Sequence, residues 1–92
     1  MTVLLPRRTT GARSARSVVR AVTLPGRPEQ ATEMRSRLAV LTAALPTGLR
    51  DSIQLLASEL FNNAIRHTAS GLPGGTVTVT LVTLSDRVQV RV

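Results

Sequence analysis

The chain has 92 residues, one small domain at most, and a formal charge of +7 in which every cation is an arginine. It has no cysteine and a single histidine, which excludes a disulfide framework and leaves no basis for a zinc cluster. Hydrophobic residues make up 42%, too many for a disordered chain, yet no apolar run reaches the roughly 18 residues needed to span a membrane.

The charge is unevenly placed. Residues 1–27 carry Arg7, Arg8, Arg13, Arg16, Arg20 and Arg27 and no acid, so they hold +6; the other residues carry six arginines and five acids, or +1. Val3, Leu4 and Leu5 start an apolar run that Pro6, Arg7 and Arg8 close at once, too short for a signal-peptide core. Residues 1–13 are polar, basic and broken by Pro6 and Gly11, and they read as a disordered arm, with the domain boundary placed at residues 15 and 16. Such an arm suits contact with nucleic acid or anionic lipid, or is simply solvated.

Residues 16–24 alternate well enough for a strand that Pro25 and Gly26 end. A helix is predicted next. Pro28 suits a first helical position, Glu29 suits a first turn, and Ala31, Met34, Leu38, Leu41 and Leu45 form one apolar stripe. A second helix is predicted from about Leu49 to His67, capped by Thr47 and with Asp51 in its first turn. Leu49, Ile53, Leu56, Leu60 and Ala64 form its buried stripe, and Leu55, Phe61 and Ile65 widen it. After a glycine-rich loop at 70–75, Thr76–Val82 and Arg87–Val92 alternate as two strands of an antiparallel hairpin around a turn at 84–86. The order strand, helix, helix, strand, strand predicts an α+β fold with two helices packed on a short mixed or antiparallel sheet.

The second helix carries a polar face that burial does not explain. Glu59, Asn63 and His67 stand at i, i+4 and i+8, with Arg66 beside them. An asparagine oxygen is a neutral hard ligand suited to magnesium, which takes few protein ligands and fills its shell with waters and phosphates. A glutamate one turn away can accept a proton, and a His or Arg one turn further can reach phosphate oxygens. By spacing alone, a solvated helix face is the stronger reading of the same residues.

The wording of the stretch is more specific. Ser58-Glu59-Leu60-Phe61-Asn62-Asn63-Ala64-Ile65-Arg66-His67 resembles the N box of the GHKL, or histidine-kinase-like, ATPases, in the form S-E-L-x-x-N-A-x-R-H. It is most similar to that of actinobacterial regulators of the anti-sigma-factor serine/threonine kinase type. Leu24-Pro25-Gly26 before a helix, Gly48-Leu49 and Asp51, and the glycine loop before a hairpin agree with that pattern, so the resemblance covers about residues 17–92.

The resemblance implies the N-terminal half of a Bergerat-type ATPase sandwich in a cytoplasmic protein. It implies that Asn63 holds magnesium on the nucleotide phosphates, that Glu59 acts as general base or positions a water, that Arg66 and His67 lie near the phosphates or lid, and that Ala64 lines the adenine side. ATP and magnesium would be the cofactors. A sigma factor and a phosphorylatable anti-sigma antagonist would be the partners, with a homodimer also open. The family's next motif, D-x-G-x-G, does not occur in these residues, and Asp86 sits too early to replace its aspartate. The sequence-based expectation is therefore an incomplete domain with impaired or absent nucleotide binding. The alternative is a non-catalytic interaction module or an arginine-arm nucleic-acid binder.

Overall fold

In the computed structural model, the described residues are 1–6, 18–68, 72–84 and 87–92. Among these residues, four strands and two helices form an α+β fold: β1 (Thr2–Pro6), β2 (Val18–Pro25), α1 (Ala31–Leu41), α2 (Thr47–His67), β3 (Thr76–Thr83) and β4 (Arg87–Arg91). The strands make one sheet in the order β1-β4-β3-β2, antiparallel at each junction. Of the two predicted alternatives, a mixed or an antiparallel sheet, the antiparallel one is observed.

The alternation read along β3 and β4 sets which face is buried. Val77, Val79, Leu81, Val88 and Val90 point to the helices and are almost fully covered; Val22 and Leu24 of β2 join them. Both helices pack on this face, α1 over β2 and α2 over β3, β4 and β1. With one aromatic residue in the chain, Phe61 of α2 is the largest side chain of the core, completely buried beside Met34, Leu38 and Ile53. The other face mixes threonines and arginines with the exposed Leu4 and Val19; on it Thr23 and Thr78 lie opposite each other, their hydroxyls hydrogen-bonded at 2.8 Å.

Several expectations are corrected. Residues 1–13 read as a disordered arm, but Thr2–Pro6 form a strand along the whole of β4, with Val3 and Leu5 half-buried against the core. The two alternating apolar residues were the available signal; the adjacent arginines masked it. The rest of that arm lies outside the described residues, as do parts of the glycine loop and of the turn before β4.

The first predicted helix opens as a 3-10 turn, Pro28–Gln30, with Pro28 and Glu29 placed as expected, and then ends at Leu41 instead of reaching Leu45. Thr42 ends it. Its backbone leaves helical geometry, and its buried hydroxyl donates to Leu38 O at 2.7 Å, occupying an acceptor at the helix end. The second helix begins two residues early, at Thr47 after Pro46. Thr47 therefore lies inside the helix, where its hydroxyl accepts from Arg50 and caps nothing, and Asp51 falls beyond the first turn. In the loop before β3, Gly74 takes φ of 81°, a left-handed conformation suited to glycine.

Candidate functional site

α2 is helical for local reasons. After Gly48 it contains no glycine or proline, and the run Leu55-Leu56-Ala57-Ser58-Glu59-Leu60 is rich in good helix formers. Its C-terminus closes at Thr68, whose backbone N–H and hydroxyl both donate to Ala64 O. Arg66 and His67 occupy the last turn, where cations are favoured by the helix dipole.

The helix sorts its side chains by angle. Ile53, Ala57, Leu60, Phe61 and Ala64 are buried against the sheet. On one flank Gln54 donates from Nε2 to Arg35 O at 2.9 Å, so that flank faces α1. At about 100° per residue, Asn63 stands on the opposite flank, about 180° from Gln54, and Glu59 is some 40° from Asn63. The Glu59–Asn63 face is therefore turned away from α1.

The sequence-predicted residues occupy distinct environments. Asn63 is half-buried at the border of the core; Glu59, Arg66 and His67 are exposed. Among the described residues, no side-chain hydrogen bond or ion pair engages Glu59, Asn63, Arg66 or His67; on α1 an ion pair joins Arg37 to Glu33 at 3.0 Å. Ala64 is different: it is 6% exposed and packs in the core, about 140° round the helix from Glu59. Leu55, expected in the buried stripe, is 61% exposed and shares the polar face, whereas Ala57, fully buried at the helix–sheet contact, was missed. A methyl group contributes too little to a hydrophobic pattern to be singled out by it.

A cavity of about 580 Å³ lies elsewhere, lined by Pro25, Arg27, Leu72, Gly74 and their neighbours, and none of the predicted site residues borders it. Among the described residues there is no cluster of His, Asp or Glu able to hold a metal ion by itself. Magnesium would therefore have to arrive on a ligand that supplies most of its oxygens. An unpaired, partly buried asparagine fits that role as a single neutral donor.

This fold, an antiparallel sheet with two helices on one face and an asparagine–glutamate pair on the second helix, fits an ATP-binding, kinase-like class of protein. The chain belongs to the histidine kinase-like ATPase domain family, whose model matches residues 24–92, three quarters of its length. No curated protein and no solved structure matches it significantly. Among the described residues, no helix is long and apolar enough to cross a membrane.

Proposed function

We propose that this chain is an ATP-binding regulator of the anti-sigma-factor serine/threonine kinase type, in which α2 forms the magnesium and phosphate side of the nucleotide site. The observation that carries this reading is Asn63. It is rooted at the core border, faces away from α1, has no partner among the described residues and stands one turn beyond Glu59. In this reading Asn63 would hold a magnesium ion carried by the nucleotide phosphates, and that ion, when bound, would supply charge neutralisation at the transferring group. Arg66 and His67, in the last turn of the same helix, hold phosphate oxygens. Glu59 accepts the proton of a serine or threonine hydroxyl on a protein antagonist as that hydroxyl takes the γ-phosphoryl group of ATP, whose bond to the β–γ bridging oxygen breaks so that ADP leaves. A sigma factor is the second partner.

The affinity expected of these residues is low. They supply no D-x-G-x-G aspartate for the adenine amino group, and Ala64, the candidate for the adenine side, is committed to the core. The test is calorimetric titration of the chain with Mg-ATP and with ATP in excess EDTA, repeated on Asn63→Ala. Magnesium-dependent binding that Asn63→Ala removes supports the reading. Binding that ignores both magnesium and the substitution, or no binding at millimolar nucleotide, sinks it for this chain.

A further inference from the structure

The edge of β4 that faces β1 has an unusual sequence. Arg87-Val88-Gln89-Val90-Arg91 reads the same in both directions. When such a strand meets a second copy of itself antiparallel, with Gln89 opposite Gln89, each residue faces its like. Val88 meets Val90, and Arg87 meets Arg91.

The backbone supports that register. Met1 and Val92 exchange both hydrogen bonds: the amino group donates to Val92 O at 3.1 Å, and Val92 N donates to Met1 O at 2.9 Å. Antiparallel pairing alternates hydrogen-bonded and non-bonded pairs, so Val3–Val90 and Leu5–Val88 are also hydrogen-bonded pairs. The even-numbered residues of β4 thus direct their N–H and C=O groups toward β1. The odd-numbered ones face β3, as the bond from Leu84 N to Arg87 O at 2.8 Å shows. A β4–β4 pair centred on Gln89 sets Val88 opposite Val90 as a hydrogen-bonded pair, the arrangement those even-numbered groups require.

We propose that β4 is a self-complementary dimerisation edge for a second copy of this chain, and that β1 is the strap that covers it. β1 also shields Val88 and Val90, both completely buried. It is tethered through the residues that join it to β2, so its effective concentration at β4 is on the order of millimolar, enough to exclude a second copy at micromolar protein. Two features suit β1 to be a terminal edge and not a template for further strands. It is only five residues long, and Pro6 lies opposite Arg87 in a non-bonded pair, where an N–H would have pointed outward. A dimer through β4 places Arg87 near Arg91 of the second copy on the uncovered sheet face, so its affinity rises with salt.

The decisive pair of variants is Val3→Pro and Leu4→Pro. The first removes an N–H aimed at β4 and releases β1; the second removes one aimed away from β4 and leaves the strap in place. In sedimentation equilibrium at roughly 10–100 µM, well below the effective concentration of the tethered strap, the wild type and Leu4→Pro are expected to be monomers. Val3→Pro is expected to dimerise at least tenfold more tightly, and more tightly still as salt is raised. Adding Gln89→Cys tests the register, because the chain has no other thiol and a non-bonded pair brings the two Cα atoms to about 4.5 Å, within disulfide reach. A disulfide between the two introduced thiols is expected in the Val3→Pro background and not in the wild-type one. Should Val3→Pro lose its circular dichroism, the double variant Val3→Ser/Leu5→Ser releases β1 while keeping every backbone donor. A released chain that stays monomeric, that dimerises without forming this crosslink, or that matches Leu4→Pro overturns the proposal.

Discussion

Asn63 and Ala64 are neighbours in sequence and about 100° apart on α2, and that rotation separates a half-buried polar residue, proposed above as a magnesium ligand, from a core residue. Asn63 borders the core without a partner among the described residues; Ala64 is within it. Replacing Asn63 with alanine should therefore abolish magnesium-dependent nucleotide binding while moving stability by no more than about 0.5 kcal/mol, measured by urea unfolding. Glu59→Gln makes a different claim. Because Glu59 is exposed and assigned to proton transfer, binding should survive and any phosphoryl transfer or ATP turnover should fall by about 10²- to 10⁴-fold, followed by phosphate release. Phe61→Ala tests the core: the largest buried side chain leaves a cavity, and the cost should be about 3–5 kcal/mol with no dependence on nucleotide.

At the scale of elements, α2 shows how far a hydrophobic pattern reaches. Its buried stripe was legible because Ile53, Leu60 and Ala64 repeat at helical spacing, and Phe61 was correctly placed beside it. The pattern could not say how wide the covered strip is. The sheet covers an arc centred near Ala57, so Leu55 falls outside it and Leu60 inside. Leu55→Lys should then change the unfolding free energy by less than about 0.5 kcal/mol, whereas Leu60→Ala should cost about 2–5 kcal/mol. Ala57→Leu should cost about 1–3 kcal/mol by forcing helix and sheet apart, a penalty that the hydrophobicity of leucine does not anticipate.

At the scale of the molecule, the pairing of β1 with β4 joins the first residues to the last, with Met1 and Val92 hydrogen-bonded across the entire chain. Contacts of such long sequence separation are costly to close and form slowly, so folding should be slower than in a helical bundle of equal length. They also make the ends interchangeable. A circular permutant that links Val92 to Met1 by a short hairpin turn, and opens the chain between Gly11 and Ala12, should retain the fold. Its thermal midpoint should lie within about 5 °C of the parent's, roughly the shift that 1 kcal/mol produces in a domain of this size. Loss of cooperative melting in the permutant would show that β1 does not dock on β4 as described.

The sequence by itself determined the α+β class, both helices, the β3–β4 hairpin and the N-box wording that carries the family. Each of these is encoded in residues near one another, as a period of 3.6, a period of two or a contiguous motif. Tertiary structure alone decided that Thr2–Pro6 is a strand, because two half-buried side chains gain their meaning only from β4 at the far end of the chain. It also decided which flank of α2 stays open, since that depends on where α1 docks, and it set Ala64 in the core while leaving Asn63 at its border. Local patterns fix what an element is; the other elements packed around it fix which of its faces is available for chemistry.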